Sequence, residues 1–400
     1  MYRSVLKTGR LIDEQDLSEF DESNSLSTTF IMNYWKGGGP GNVYTLSCLF
    51  KDAGYPSRVF SFYSFEDIPV FIRNKLKLVK KAYGADTKTP TGNLSSKNVM
   101  FLLFTNPTFI TSAPFLFKER ILELSTLSHH EVDGKLIATN WQTIYSAFDY
   151  VNKNVEKILY FLQAYEIDFS ENYFYIKMAD KTFKLPIRRF TQSKWLTSYL
   201  DIKYSCKTSY IGRGVAHVIF KPLHIEKSRK ITTIVRRDKN KGFELFVKDI
   251  NKLWCERNDF EVLLFGESPD FIRHMMTFPY TYLGWISDDS RLAEIYNEGF
   301  FVNTGTNEAL QIPPFEATSC GSAVVLTNIP RSKEYALNYK SCINAGPFGY
   351  RNISNVISEL LDSDILRNAI SLNAVYTTNN YDWNEVMEKF VAILKKEEYL

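Results

Sequence analysis

The stretch from Gly305 to Gly321 carries two carboxylates, Glu308 and Glu316, with seven residues between them. It lies between two apolar runs, 300–302 and 323–326. A pair of prolines stands before the second glutamate, and proline suits the first turn of a helix. The pattern predicts a strand, a loop with Glu308 and a helix with Glu316. Loops at the carboxyl edge of an open parallel sheet build a ligand crevice, so both carboxylates could face one ligand.

A basic turn follows another predicted strand, 231–235. Arg236 and Lys241 stand in this turn, just before a helix predicted from Phe243 onward. Arginine can grip a diphosphate through two parallel hydrogen bonds, and lysine adds a compact positive charge. The alternative interpretation is a solvated basic turn. The next predicted strand, 261–267, brings Gly266 to its carboxyl end.

A glycine run at 37–42 lies between a predicted strand, 29–34, and a predicted helix, 43–54. It includes Gly38 and Gly39. Backbone N–H groups at the start of a helix can bind an anion, and glycine allows the ligand close to the backbone. The spacing is not that of a dinucleotide fingerprint, and a tight turn without a ligand is the alternative.

Two other polar clusters are weaker candidates for chemistry. His129-His130-Glu131 could bind a metal or act as a base, but no third ligand has a recognisable spacing, which favours a surface loop. Asp362-Ser363-Asp364 lies in a predicted helical region away from any glycine loop, which favours a surface cap. The chain has no nucleophile elbow and no P-loop. We therefore expect neither a metal nor a cofactor.

The composition indicates a chain that forms two domains. Its 400 residues are 44% hydrophobic, which is enough for two sizeable cores, and the net charge is +3. So small a charge does not suggest a nucleic-acid partner. The five cysteines lie far apart, without zinc spacing, and are typical of reduced thiols in a cytosolic protein.

Nothing in the sequence predicts a signal peptide or a membrane span. The first 27 residues are polar, and prolines interrupt the most apolar segment, 98–117. A basic stretch within 71–83 could lie against an anionic membrane or form a solvated helix face. We expect a cytoplasmic protein, with 71–81 as the candidate for peripheral contact at the inner membrane face.

The predicted elements alternate between strands and helices in two series. This alternation indicates an α/β protein with mainly parallel sheets. A polar segment at about 200–225 predicts the domain boundary. The expected parts are an N-terminal arm (1–27), an acceptor domain (28–208) and a nucleotide-sugar domain (209–375). A last helix (376–400) is expected to pack back on the first domain.

Together these motifs resemble the retaining glycosyltransferases with the GT-B fold, of the family 4 type. The two glutamates match that family's E-x7-E motif, and Arg236 and Lys241-Gly242 resemble its phosphate-binding residues. Gly38 and Gly39 resemble its N-domain glycine loop. Three first-domain segments look like those of bacterial polysaccharide rhamnosyltransferases: 138–145, 160–166 and 192–196.

The resemblance implies two Rossmann-like domains with a donor cleft between them. A nucleotide-sugar donor would bind mainly to the second domain, and a glycan or lipid-linked glycan acceptor mainly to the first. Glu316 would then contact the ribose and Glu308 the transferred sugar. Arg236 and Lys241 would stabilise the departing diphosphate by electrostatic catalysis without a metal. Gly38, Gly39 and Gly266 would complete the donor-binding set.

Two features depart from the family. Ala309-Leu310-Gln311 replaces a glycine-containing run, which predicts a reshaped phosphate or sugar subsite, and no histidine of the first domain matches the family's sugar contact. The alternatives are a non-catalytic nucleotide- or glycan-binding member of an assembly complex, and an epimerase or phosphorylase on the same scaffold. No lysine is identified as the pyridoxal-binding residue that a phosphorylase needs.

Overall fold

The computed structural model describes residues 28–33, 38–55, 57–64, 99–104, 135–150, 155–169, 173–223, 225, 228–306, 311–327, 333–346 and 351–396. The chain divides into two compact units. The first comprises 1–190, 204–209 and 391–400, and the second comprises 191–203 and 210–390.

The first unit is built on a sheet of seven strands. These strands are β1 Thr28–Asn33, β2 Ser57–Ser64, β3 Val99–Phe104, β4 Lys135–Ala138, β5 Ile158–Leu162, β6 Arg188–Thr191 and β7 Thr208–Tyr210. Its helices are α1 Gly38–Asp52, α2 Trp141–Tyr150 and α3 Tyr173–Phe183, and α4 Lys194–Tyr204 follows β6.

The order of the first sheet is β3-β2-β1-β4-β5-β6-β7. β1 pairs in parallel with both β2 and β4, whereas β3 is antiparallel to β2. All five residues of β5 are buried, as expected for a strand inside a sheet that is covered on both faces. The prediction of a mainly parallel sheet is confirmed for the paired strands β1, β2, β4 and β5, and β3 is the exception.

A buried polar contact joins β5 to the start of α2. The Glu166 carboxylate accepts hydrogen bonds from the Tyr160 hydroxyl and from the backbone N–H of Trp141, both at 2.7 Å. Burial raises the pKa of Glu166 to about 8. The contact fixes the turn that follows β4.

The second unit has a sheet of six strands among its described residues, and residues 194–203 of α4 also belong to it. The strands are β8 Lys230–Val235, β9 Glu261–Gly266, β10 Thr281–Tyr282, β11 Phe300–Asn303, β12 Ala323–Thr327 and β13 Ile343–Ala345. The helices are α5 Phe243–Glu256, α6 Asp289–Glu298, α7 Ile312–Ser319, α8 Ile353–Asp362, α9 Asp364–Thr378 and α10 Trp383–Lys396, whose last residues belong to the first unit.

The second sheet is wholly parallel, with the order β10-β9-β8-β11-β12-β13. The chain starts in the middle, builds one half and then returns to build the other half. The switch point therefore lies between β8 and β11, where a doubly wound sheet opens a crevice beyond the carboxyl ends of its strands. Buried apolar residues of β8, β11 and α5, among them Ile231, Phe246 and Phe300, belong to one core.

Most predicted elements agree with the structure, and the differences are local. Gly38 and Gly39 lie in the first turn of α1 rather than in a loop before it. Sequence reasoning placed a strand at 282–285, whereas β10 is Thr281–Tyr282. It did not predict β6, β7 or β13, which are three or four residues long and too short for a clear period-2 pattern.

Several predictions fall outside the described residues: the arm at 1–27, the basic segment 71–83 and the histidine pair His129-His130. Ser363 caps α9, because its hydroxyl accepts a hydrogen bond from the N–H of Leu366. The Asp362 segment is thus a helix cap, as predicted. Within the part of the chain that is described, no helix is long and apolar enough to cross a membrane.

Candidate functional site

The loops that follow β8 and β11 touch each other at the switch point of the second sheet. The N–H of Thr306 donates to the carbonyl of Asn240 at 2.8 Å. Gly242 has a φ of +66°, and a Cβ added there would lie 2.0 Å from the carbonyl oxygen of Thr304. Only glycine allows this close approach with this backbone conformation. The two loops therefore form one wall of the crevice.

The loop after β8 places positive charge and backbone donors at that wall. Arg236 follows β8 directly, and Lys241 ends a short 3₁₀ turn, 239–241. The Asp238 carboxylate caps this turn by accepting a hydrogen bond from the N–H of Asn240 at 2.9 Å. α5 begins immediately after Gly242, and no side chain caps it. The N–H groups of its first turn suit an anion.

Glu316 lies on α7, the short helix that follows β11. Two prolines occupy the first turn of α7, as the sequence predicts. Its neighbours Phe315 and Ala317 are fully buried, whereas Glu316 itself is partly exposed. No hydrogen bond to the carboxylate is seen in the described part of the chain. The carboxylate is therefore placed to accept hydrogen bonds from a ligand.

Burial dominates the electrostatics of Glu316. It raises the pKa of Glu316 to about 8, the positive charge of Arg213 acts in the opposite direction, and Asp289 adds to the rise. Arg213 is 6% exposed, and its guanidinium carbon lies 5.8 Å from the centre of the Phe315 ring. The buried cation thus favours the ionised form of Glu316, but the effect of burial is larger and the pKa stays raised.

The hydroxyl of Tyr296 lies in the same electrostatic neighbourhood. Tyr296 is 1% exposed, and its hydroxyl has no hydrogen-bond partner among the residues that the structure describes. Burial raises its pKa, and the charges of Glu316, Asp289 and Arg236 also act on it. Tyr296 therefore links the surroundings of Glu316 with those of Arg236.

Gln311, in the segment 309–311 that departs from the family, has a structural role. It is fully buried, and its amide nitrogen lies 3.4 Å from the carbonyl oxygen of Gly305. The Thr327 hydroxyl also donates to that carbonyl. Gln311 thus bonds back to Gly305, six residues earlier in the chain.

The turn at 282–285 rests on the carboxyl end of β9. Gly266 donates its N–H to the carbonyl of Gly284 at 2.8 Å, and the Tyr282 hydroxyl donates to the carbonyl of Gly266 at 2.9 Å. Trp285 follows, and the Arg236 guanidinium lies 4.6 Å from the centre of its ring. Gly266 is thus a support of this turn.

The structure places Arg236, Lys241, Gly266 and Glu316 at the carboxyl edge of the second sheet. Glu308 lies outside the described residues, and Gly38 and Gly39 belong to the first unit. Sequence reasoning gave no role to three residues around this edge: Arg213, Tyr296 and Trp285. Arg213 carried a usable signal, because an arginine between two glycines in an apolar segment is a candidate for a buried charge.

Histidine, cysteine and carboxylate side chains form no group of three that could hold a metal ion in the described ranges. The groups that do gather at the crevice are two cationic side chains, a helix N-terminus and a carboxylate. These groups suit an anionic ligand with hydroxyl groups, since cations and N–H groups bind phosphates and a carboxylate accepts from hydroxyls.

Two Rossmann-like units of this kind make up the GT-B fold. Residues 228–362 match the model of a family described as Glycosyl transferases group 1. The matched range contains the crevice residues Arg236, Lys241, Gly266 and Glu316.

Solved structures share the fold at low sequence identity. A sucrose-phosphate synthase from Thermosynechococcus elongatus has a TM-score of 0.69 and 14% identity, and the match covers 93% of this chain and 99% of that one. The Anabaena protein Alr3699/HepE, solved in complex with UDP, has a TM-score of 0.62 and 12% identity, with 93% and 100% covered.

A curated relative comes from Campylobacter jejuni and is an N,N'-diacetylbacillosaminyl-diphospho-undecaprenol alpha-1,3-N-acetylgalactosaminyltransferase. It is 25% identical over 186 residues, which cover 46% of this chain. The match spans about half the length of that relative, 49%.

Proposed function

We propose that the protein is a glycosyltransferase that moves a hexose or a deoxyhexose, with rhamnose as one candidate, from a nucleoside-diphosphate sugar to a growing surface polysaccharide or another glycan. The observation that carries the proposal is the crevice between β8 and β11, with its basic loop, uncapped helix and accessible Glu316. The match of 228–362 to group 1 glycosyltransferases supports it.

In this proposal the chain's own groups bind the donor and stabilise the leaving group. Arg236 and Lys241 hold the diphosphate and offset the charge that develops on it as the bond to the sugar breaks. Glu316 accepts hydrogen bonds from the ribose hydroxyls, and Glu308 contacts the transferred sugar. The reaction would retain the anomeric configuration, and it would need no metal.

The acceptor would bind chiefly to the first unit. The name of the Campylobacter relative includes a sugar linked to diphospho-undecaprenol. This supports a lipid-linked glycan as the acceptor of this protein. Such an acceptor would require contact with the cytoplasmic membrane face, for which 71–81 is our candidate segment.

The test is transfer by two variants, after a thermal-shift screen of nucleotide sugars has identified the donor. We expect Glu308→Gln and Lys241→Ala each to lower the rate by roughly 100-fold, the typical loss for a group that stabilises transition-state charge. Lys239→Ala is the matched control, because this exposed lysine lies on the same turn. Near-normal rates in both variants would show that these roles are wrong.

A non-catalytic nucleotide-binding protein is the second candidate. The observation that favours it is Gln311, whose buried side chain bonds to Gly305 where the family has a glycine-containing run. Calorimetry would support this candidate if nucleoside diphosphates bind and no donor and acceptor pair reacts. Turnover with any pair would exclude it.

A further inference from the structure

Trp285 is held in place by the end of the neighbouring strand. The turn before it has Gly284 at a φ of +74°, and the N–H of Leu283 donates to the carbonyl of Leu264 at 2.8 Å. The carbonyl of Gly284 accepts from the N–H of Gly266 at 2.8 Å. Backbone hydrogen bonds to β9 therefore hold the main chain that carries the indole ring.

The guanidinium of Arg236 lies over this ring, 4.6 Å from its centre. Trp285 is 44% exposed, so the contact lies at the surface of the crevice and not in the core. An arginine over a tryptophan face is attracted by the ring's electron density. The stacked rotamer also reduces the conformational freedom that Arg236 would lose when it binds an anion.

An arginine that lies flat on an aromatic ring offers the ring its face and not its donors. The N–H bonds of arginine lie in the plane of the group, so a stacked arginine can still form two parallel bonds with a phosphate. Such a contact with the ring does not compete with an anion for the same atoms.

We propose that Trp285 is a positioning residue, which holds Arg236 in the orientation that binds the diphosphate. This inference rests on the proposed function, because it assumes that Arg236 contacts the donor's phosphates. Trp285 then contributes to affinity for phosphate groups and not to affinity for the nucleoside.

The neighbouring residue provides a comparison within the same loop. Arg237 also lies over an aromatic ring, with its guanidinium 5.3 Å from the centre of the Phe271 ring. Its backbone N–H donates to the carboxylate of Glu267 at 3.1 Å. Phe271→Leu removes a similar contact from an arginine that we do not place at the donor. It is the matched control for removal of the Trp285 ring.

The experiment is a double-mutant cycle measured by calorimetry. Wild type, Trp285→Leu, Arg236→Met and the double variant are titrated with UDP, GDP, ADP, CDP and dTDP, and with the nucleoside of the diphosphate that binds best. We expect Trp285→Leu to weaken diphosphate binding about 3- to 30-fold, the size of a cation–π contact. Nucleoside binding should not change, and the double variant should bind no worse than Arg236→Met.

Rescue separates positioning from a structural effect. Trp285→Tyr keeps an aromatic face and should retain most of the diphosphate affinity, and Phe271→Leu should bind like wild type. Thermal melting of each variant shows whether it is folded.

Other results would overturn the inference. Additive losses in the cycle would show that Trp285 and Arg236 act independently. Equal losses for nucleoside and diphosphate would show that the ring stacks on the base instead. Both results leave the proposed function intact. A wild type that binds none of the five diphosphates would overturn the proposed function, and this inference with it.

Discussion

At the scale of the residue, the ionisation of Glu316 decides how well it can serve a ligand. Burial raises its pKa to about 8, although Arg213 opposes the shift. A carboxylate accepts stronger hydrogen bonds from hydroxyl groups than a protonated carboxyl does. Because its pKa is about 8, Glu316 is mainly protonated near neutral pH. Raising the pH ionises it and makes it the better hydrogen-bond acceptor.

The first prediction is that affinity for a nucleoside diphosphate rises with pH, most steeply near the Glu316 pKa of about 8, and levels off at about pH 9. Glu316 gains its negative charge over this range, because its raised pKa of about 8 lies within it. Calorimetric titrations from pH 6 to pH 9 measure the effect. Glu316→Gln should flatten the profile, and an unchanged pH dependence in this variant would rule out Glu316 as its source.

The raised pKa of Glu316 also predicts how the stability of the fold changes with pH. The unfolded value of 4.5 lies below the folded value of about 8, so the folded state holds the proton more tightly. Its contribution to stability is full below pH 4.5 and is lost as the pH rises to about 8. Denaturant melts should show a smaller loss between pH 5 and pH 8 for Glu316→Gln than for wild type. Equal losses would contradict the raised pKa.

At the scale of the element, the crevice depends on two loops that touch. Gly242 starts α5 in a left-handed conformation against the backbone of Thr304. Neither loop can move away without breaking the hydrogen bond from Thr306 to Asn240. The start of α5, the basic turn and the loop after β11 therefore act as one structural unit.

We predict that Gly242→Ala destabilises the protein by more than the left-handed strain alone, which costs about 1–2 kcal/mol. The added Cβ would also meet the Thr304 carbonyl, so the loops must separate and nucleotide affinity should fall. Gly54→Ala is the matched control, with a φ of +89° and nothing within 4 Å of its Cβ. Equal destabilisation in denaturant melts would contradict the close contact.

At the scale of the whole molecule, the crevice belongs to one of two units that each have their own sheet. A ligand that binds only the folded state stabilises it, by about 2.7 kcal/mol at 100 times its dissociation constant. The protection should be greatest where the ligand contacts the backbone. The pattern of protection therefore locates the proposed site without any assumption about the sugar.

We expect a nucleoside diphosphate to slow amide hydrogen exchange at 236–244 and 304–306 of the second unit. These segments form the basic turn, the start of α5 and the loop after β11. Mass spectrometry of exchanged peptides gives the measurement, and β5 of the first unit, Ile158–Leu162, is the internal reference. Slowed exchange in the first unit alone would place the nucleotide elsewhere.

Most helices and strands were predictable from the sequence, because burial leaves a local pattern of apolar residues. The apolar runs of β8, β9, β11 and β12 lie in buried strands, and the two prolines begin α7 as predicted. Gly38 and Gly39 show the limit of this reasoning, since a glycine run does not say where the first helical turn begins. Strands of three or four residues, such as β13, leave too short a pattern.

The sequence by itself determined that Arg236, Lys241 and Glu316 stand in loops or helices after predicted strands, and that Gly266 stands at the end of one. Only the tertiary structure decided which of these loops meet, because the order of the strands sets the neighbours. It places β11 beside β8, and so Thr304 against Gly242.

The contacts that tune the site are also tertiary. Arg213 acts on Glu316, and Trp285 lies over Arg236, although each pair is far apart in the chain. Local patterning records which residues are buried, whereas side-chain partners across the crevice depend on how the crossovers bring separate segments together.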